Sequence, residues 1–277
     1  MKNVLVVGAA GGVGLEVTKQ LVAQSYRVIA TVLNDAEASA LQAAAPKIAK
    51  IVQLDLGNAD SIAATLREHV QALDAVAVCA ATGPVGPLET MPLSALRKTF
   101  EINTIADVAI YQTCMPALRA SKGRIVFISS FSGKVALPFV GAYSGSKFAL
   151  EGLGDAMRRE AAAFDVKISL VEPGGISTPM VKGQMEAATR ERDALKPEIK
   201  ALYGTLYDSY LKVFAHAANS GMPPSQVASV VVEALNAAEP QARYVVGDDA
   251  MFMCTQVAAM PDVQADQTLA GFLASLG

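Results

Sequence analysis

The sequence predicts a single α/β domain with a doubly wound, mostly parallel sheet of seven strands and helices on both faces. Of the 277 residues, 52% are hydrophobic and 18% are charged. Short apolar runs alternate with alanine-rich stretches of helix length, which is typical of βαβ units whose parallel strands are buried on both faces. No run reaches the roughly 18 apolar residues that a membrane span needs, so we expect no membrane span.

Seven apolar runs are predicted as the strands. They lie near residues 3–7, 27–33, 49–54, 74–79, 124–129, 167–172 and 242–246. Pro223, Pro224 and Ser225 predict the start of the helix near 224–238 that precedes the last strand. Right-handed crossovers between such strands leave a ligand crevice outside their carboxyl ends.

Residues 1–250 are predicted as one dinucleotide-binding oxidoreductase domain. The segment at about 178–222 breaks the alternation and is predicted as a helical insertion that covers the crevice; the alternative is ordinary helical core packing. Residues 251–277 are predicted as an apolar tail that packs on this subunit or on a neighbour.

Charge and cysteine usage narrow the partners and the compartment. The net charge is −3 with no basic stripe, so nucleic acid is not expected as a partner. Cys79, Cys114 and Cys254 are widely spaced and odd in number, which predicts neither a disulfide framework nor a metal site. The first apolar run ends at Gly8, too early for a signal peptide. We therefore expect a cytoplasmic location.

A glycine-rich turn follows the first strand and opens a helical stretch. It contains Gly8, Gly11, Gly12, Val13 and Gly14. Glycines there let the backbone approach a pyrophosphate, and a helix N-terminus offers free N–H groups and partial positive charge. This placement predicts a bound dinucleotide, as in a Rossmann fold.

The residues after the second and third strands bear on which dinucleotide is bound. Asn34 and Asp35 lie where an acid usually binds the adenosine ribose, and no arginine is present there to neutralise a 2′-phosphate. The sequence therefore favours NAD over NADP, although turn and helix-cap roles explain Asn34 and Asp35 equally well. Asp55 and Leu56 end the third run, where the adenine would lie.

Tyr143 and Lys147 lie one helical turn apart and share a face. Lowering the pKa of a tyrosine from 10 to 7 requires about 4 kcal/mol of phenolate stabilisation. An ammonium about 4 Å away supplies about that much at an effective dielectric of 20, and oxidised nicotinamide adds a second positive charge. Tyr143 could then act as general base towards an alcohol and general acid towards a ketone.

A serine at the end of the fifth strand is a further candidate catalytic residue beside Tyr143 and Lys147. Ser130 lies at the carboxyl end of that strand, where its hydroxyl can donate to a substrate oxygen. Ser129 and Ser132 are alternatives for the same role, because serines at strand ends are often turn residues.

Together these motifs resemble the short-chain dehydrogenase/reductase family over residues 3–247. The resemblance rests on Gly8, Gly12, Gly14, Asn103, Ser130, Tyr143, Lys147 and the segment 171–178. It implies a catalytic tetrad in which Ser130 orients the substrate oxygen, Tyr143 transfers a proton, Lys147 lowers the tyrosine pKa and holds the nicotinamide ribose, and Asn103 positions a water. Cofactor contacts are also implied for Ala80, Pro173, Gly174, Ile176 and Thr178.

Within the family, the segment 143–153 is most similar to the 17β-hydroxysteroid and retinol dehydrogenases. This similarity implies NAD(P)-dependent oxidoreduction of a secondary alcohol or ketone in a bulky, apolar, steroid-like substrate. A 3-oxoacyl or small-carbonyl reductase is the alternative enzyme, and a dinucleotide sensor without turnover is the alternative from another class. The resemblance also implies a homodimer or homotetramer.

The chain departs from the family pattern at three places. Val7 stands where a threonine usually precedes the glycines, and the segment 79–82 reads Cys-Ala-Ala-Thr where Asn-Asn-Ala-Gly is usual. Val32 and Leu33 replace the usual charged cofactor selector. The first two departures remove hydrogen bonds that stabilise the central strands and the cofactor turn.

Overall fold

A computed structural model describes the backbone of residues 1–275 and the side chains of residues 1–272. The strands are β1 (Asn3–Val7), β2 (Arg27–Val32), β3 (Lys50–Gln53), β4 (Ala75–Val78), β5 (Arg124–Ile128), β6 (Lys167–Pro173) and β7 (Arg243–Val246). The helices are α1 (Gly12–Ala23), α2 (Asp35–Ala44), α3 (Ile62–Leu66), α4 (Leu93–Phe100), α5 (Ala106–Ser121), α6 (Gly141–Ala161), α7 (Pro179–Asp193), α8 (Pro197–Ser220), α9 (Pro224–Asn236), α10 (Asp248–Thr255) and α11 (Asp262–Ser275). A π-turn (Glu101–Ile105) joins α4 to α5.

The seven strands form one sheet in the order β3-β2-β1-β4-β5-β6-β7. Every neighbouring pair is parallel. The predicted doubly wound fold is confirmed, and each predicted strand agrees with the observed one to within one residue at either end. From β1 the chain adds β2 and β3 on one side of the sheet and then crosses over to add β4 to β7 on the other side. This switch between β1 and β4 opens a crevice at the carboxyl ends of those two strands.

Both faces of the central strands are buried, and most of their residues are apolar. On β1, Leu5 and Val7 pack into one core with α3, α5 and α6, while Val4 and Val6 pack into a second core with α1 and α9. All four residues of β4 are buried. Few polar side chains are buried within the strands, namely Thr31 of β2 and Ser169 and Glu172 of β6, so most of the site's polar groups come from the strand ends.

The segment 178–222 folds as the helical pair α7 and α8. Thr178 caps α7 by accepting a hydrogen bond from the Val181 N–H, and a bridge between Ile176 and Met222 closes the base of the pair. Tyr207 and Tyr210 of α8 are buried against Phe139. Part of the apolar surplus is therefore core packing, as in the alternative interpretation.

The tail packs on its own subunit. Met253 of α10 and Val257 are buried, and Leu269 of α11 packs against both this cluster and the α8 cluster. Residues 276 and 277 of the predicted tail lie outside the described residues. In the part of the chain that the structure describes, no helix is long and apolar enough to cross a membrane.

Two glycines of α6 provide a matched test of the packing against β6. A Cβ at Gly152 would meet open space, whereas a Cβ at Gly154 would lie 3.0 Å from Leu170 Cδ1. We expect Gly152→Ala to raise the free energy of unfolding by about 0.5–1 kcal/mol through helix propensity. In denaturant unfolding, Gly154→Ala should have a lower free energy of unfolding than Gly152→Ala, because Leu170 must shift to accommodate the new Cβ. Equal free energies of unfolding would contradict this packing.

Candidate active site

A cavity of about 560 Å³ opens at the carboxyl ends of the strands. Most of the predicted site residues line it: Gly8, Gly11, Gly12, Val13, Asp55, Leu56, Ala80, Ser130, Tyr143, Lys147, Pro173, Gly174, Ile176 and Thr178. Three predicted site residues are not part of its wall, namely Gly14, Asn34 and Asn103.

The glycine turn is built for close approach of the backbone. Gly8 has φ +74°, and a Cβ there would lie 2.6 Å from the Cβ of Ala80. A Cβ on Gly14 would lie 2.1 Å from the Gly8 carbonyl oxygen, so Gly14 serves the packing of α1 on the turn instead of contacting a ligand. The Gly8 N–H donates to Thr31 Oγ1 at 3.1 Å. This neighbouring hydroxyl stabilises the turn despite Val7.

The end of β2 presents an acid that the sequence did not single out. Asn34 accepts from the Glu37 N–H at 2.9 Å as the N-cap of α2, so its side chain is used in capping. Glu37 lines the cavity, and its Oε2 accepts from the Leu33 N–H at 2.8 Å. The Asn34–Glu37 spacing of a capping box could have identified Glu37. Asp55 also lines the cavity and accepts from the Gly57 N–H at 2.8 Å.

Ser130 and Tyr143 meet at the end of β5. Ser130 accepts a hydrogen bond from the Ser132 N–H at 3.1 Å, and its side chain is a hydrogen-bond partner of Tyr143. The Oγ of Ser129 is buried without a partner. Burial raises the pKa of Tyr143 above its usual value, and the hydrogen bond with Ser130 opposes this increase.

Lys147 is 1% exposed and lies behind Tyr143 on α6. Its Nζ donates to the Ile128 carbonyl at 2.8 Å and lies 5.8 Å from the centre of the Tyr143 ring. Burial lowers the pKa of Lys147, while Asp107 and Glu151 oppose the decrease. The expected lowering of the Tyr143 pKa by Lys147 is not found in this structure, where burial is the largest effect on both groups.

Asn103 lies in the π-turn, and its side chain is fully engaged. Its Nδ2 donates to the Thr82 carbonyl at 2.7 Å and to Ser146 Oγ at 3.0 Å, and its Oδ1 accepts from the Thr82 N–H at 2.8 Å. Asn103 thereby fixes the segment after β4, where the usual asparagines are missing.

A buried acid, Asp107, lies one turn after Asn103 on α5. It is 2% exposed, and its Oδ1 has no hydrogen-bond partner. Burial raises the pKa of Asp107 to about 7, opposed by the charge of Lys147. Sequence spacing could not reveal it, because Asp107 and Lys147 lie on different helices.

A carboxylate at the start of α10 supports the loop after β6. Asp249 Oδ2 accepts from the Gly175 N–H at 2.7 Å. A Cβ on Gly174 would lie 1.9 Å from Asp249 Oδ1, so a larger residue there would displace this carboxylate. Asp249 is 74 residues away from the loop, and no local signal predicts the contact. Within the described residues, no group of three or more His, Cys, Asp or Glu could hold a metal ion.

Known proteins share this architecture. A family model described as short chain dehydrogenase matches residues 2–189. Retinol dehydrogenase 8 of Bos taurus is 31% identical over 253 residues, which cover 87% of this chain and 80% of that protein. The 17-beta-hydroxysteroid dehydrogenase type 6 of Homo sapiens is 30% identical over 279 residues, covering 97% and 87%.

A solved structure of a short chain dehydrogenase from Burkholderia cenocepacia in complex with NADP matches with a TM-score of 0.73 and 22% identity. The match covers 97% of this chain and 98% of that one. The chain therefore belongs to the short-chain dehydrogenase/reductase family, in its retinol and hydroxysteroid dehydrogenase group. It is an NAD(P)-dependent oxidoreductase.

The raised pKa of Asp107 predicts a pH-dependent stability. The group contributes most to stability below the unfolded pKa of 3.8, and this contribution is lost as pH rises through about 7. We expect the free energy of unfolding of Asp107→Asn to match wild type near pH 4 and to exceed it at pH 8, because the amide carries no charge that folding must bury.

Denaturant unfolding at both pH values measures this difference. Asp165→Asn is the matched control, because Lys122 lowers the pKa of Asp165 and its loss should never stabilise the protein at pH 8. Asp165 has a φ of 59°, which asparagine tolerates. An Asp107→Asn variant less stable than wild type at pH 8 would contradict the prediction.

Proposed function

We propose that the protein transfers a hydride between NAD(P) and a secondary alcohol or ketone of a bulky apolar substrate, with Tyr143 as the general acid and base. The observation that carries this proposal is the convergence of Ser130, Tyr143 and Lys147 on one cavity at the strand ends. Ser130 follows the carboxyl end of β5, and Tyr143 and Lys147 lie on α6.

The cavity suits a dinucleotide. The open space beside Gly8, Gly11 and Gly12 and the N-terminus of α1 would hold the pyrophosphate. Asp55 and Leu56 would lie by the adenine, and Pro173 and Thr178 by the nicotinamide. When bound, the nicotinamide supplies the hydride donor or acceptor.

The chain's own residues then handle the proton and the substrate oxygen. In ketone reduction, Ser130 donates a hydrogen bond to the carbonyl oxygen, and the Tyr143 hydroxyl transfers its proton to that oxygen as the new C–H bond forms. Alcohol oxidation runs in reverse, with the Tyr143 phenolate accepting the hydroxyl proton. Lys147 stabilises the phenolate and holds the ribose, and Asn103 acts through the π-turn that it anchors.

The raised pKa of Tyr143 suits the acid role, because the phenol stays protonated at neutral pH. In the oxidative direction, the phenolate needs positive charge to offset burial. Lys147 is the protein cation beside the ring, and oxidised nicotinamide would add a second. The rate of alcohol oxidation relative to ketone reduction therefore depends on the charge of Lys147.

An apolar wall supports a bulky substrate. Leu137, Val140, Tyr210 and Phe214 line the cavity next to Tyr143. The similarity to a retinol dehydrogenase and a 17-beta-hydroxysteroid dehydrogenase agrees with such a substrate. A panel of steroids, retinoids, 3-hydroxyacyl thioesters and simple alcohols would separate this function from the 3-oxoacyl or small-carbonyl alternative, and no turnover with any would favour a sensor.

We also propose a cytoplasmic homodimer or homotetramer. Three free cysteines fit a reducing compartment. Ile105 and Leu153, 50% and 38% exposed, line a groove beside α5 and α6. Exposed apolar side chains in such a groove are suited to contact with a second copy.

Tyr143→Phe is expected to lower turnover at least a hundredfold, because the variant has no proton to transfer. Cofactor affinity should stay within a few-fold of wild type, measured by the fluorescence of bound reduced nicotinamide. Tyr26→Phe is the control and should keep full activity, because Tyr26 is half-buried against the core formed with α1 and α9 and does not line the cavity. Wild-type turnover in Tyr143→Phe would refute the mechanism.

We propose NAD as the preferred cofactor, supported by the Glu37 carboxylate beside the end of β2, which would repel a 2′-phosphate. Glu37→Gln should raise kcat/KM with NADP relative to NAD by about tenfold. Glu16→Gln on the surface of α1 is the matched control. An unchanged NADP/NAD ratio would overturn the assignment.

Lys98 also lines the cavity, and its positive charge would attract the 2′-phosphate that Glu37 would repel. If Lys98 binds a 2′-phosphate, Lys98→Gln will reduce activity with NADP and spare activity with NAD. That outcome would favour NADP over NAD as the natural cofactor.

A further inference from the structure

We propose that Asp107 is a positioning residue for the reaction: it is the counter-ion that keeps Lys147 charged in the buried wall of the site. This inference rests on the proposed function, in which Lys147 supports the Tyr143 phenolate. Nothing in the family motif points to Asp107.

The two side chains are buried on segments that contact each other, because Asn103 and Thr104, about one turn before Asp107, both donate hydrogen bonds to Ser146, the residue before Lys147. Lys147 is 1% exposed and Asp107 is 2% exposed. Lys147 Nζ donates a hydrogen bond to the neutral carbonyl of Ile128, and Asp107 Oδ1 has no hydrogen-bond partner. The Lys147 ammonium and the Asp107 carboxylate are therefore not neutralised by other groups, and their charges interact strongly in the interior of the protein.

The other carboxylate near Lys147 is already compensated. Glu151 Oε2 pairs with Lys134 at 2.8 Å and with Arg243 at 3.0 Å. Among the residues that the structure describes, Asp107 lies within ion-pair distance of no cation, Lys147 included, so its charge acts on Lys147 across a longer separation. Of the charged groups that act on Lys147, Asp107 has the largest effect.

The remaining titratable neighbour adds no charge. Cys79 at the end of β4 faces the same pair, and burial together with Asp107 raises its pKa to about 12. Its thiol is thus neutral at ordinary pH. The groups facing Asp107 and Lys147 are Cys79 from β4 and Glu151 from α6, with the Ile128 carbonyl from β5.

The carboxylate offsets the effect of burial on the lysine. Burial favours the neutral amine, and a nearby negative charge favours the ammonium. Without Asp107, Lys147 would lose its proton at lower pH, and Tyr143 would lose the positive charge that stabilises its phenolate. Activity should therefore fall earlier on the alkaline side.

The test is the pH dependence of kcat/KM for alcohol oxidation at saturating NAD, from pH 6 to 10.5. Asp107→Asn should move the alkaline limb to lower pH by at least one unit, which is about a tenfold loss at pH 9.5. Activity near pH 7 should stay within about threefold of wild type. Asp165→Asn removes a remote surface carboxylate and should reproduce the wild-type profile.

Asp107→Ala serves as a second variant, since it removes the charge without adding an amide, and it should show the same shift. A uniform loss of kcat with an unmoved alkaline limb, in either folded variant, would mean a structural role and would overturn the proposal. Tyr143→Phe measured alongside separates the two ideas. If that variant is inactive while the Asp107 profiles match wild type, the counter-ion role alone fails; if it is active, the proposed function fails.

Discussion

Burial of both faces of the parallel sheet is the constraint on which the rest of the structure depends. Strand interiors such as Val4–Val7 and all of β4 can carry only apolar side chains, because neither face meets water. Polar groups therefore collect where the strands end, and the reversal of strand order between β1 and β4 opens space there. The glycine turn, Ser130 and the loop after β6 all follow from this arrangement.

The same burial sets the electrostatics of the site. It raises the pKa of Tyr143 and of Asp107 and lowers that of Lys147, so each group is pushed towards its neutral form. Charge persists in such an interior only where another charge compensates it. The network in which Lys134 and Arg243 neutralise Glu151 has this property one turn after Lys147 on α6.

Departures from the family pattern are matched by hydrogen bonds from elsewhere in the chain. Thr31 bonds the glycine turn where Val7 cannot, and Asn103 holds both backbone groups of Thr82. Hydrogen bonds are therefore present at the glycine turn and after β4, next to the positions where the chain departs from the family pattern. Asn103 therefore stabilises the segment after β4 in addition to its proposed part in the reaction.

The sequence by itself determined the strands, their parallel pairing, the glycine turn and the Tyr143–Lys147 pair, because these features depend on periodicity and spacing within one element. It also identified residues whose role turned out to be local, such as the capping Asn34. Only the tertiary structure decided the features that join distant segments, namely Glu37 in the cavity wall, Asp107 beside Lys147, and Asp249 against Gly174. The physical reason is that burial and charge compensation depend on which elements pack together, and that information is absent from the spacing of residues along any one helix or strand.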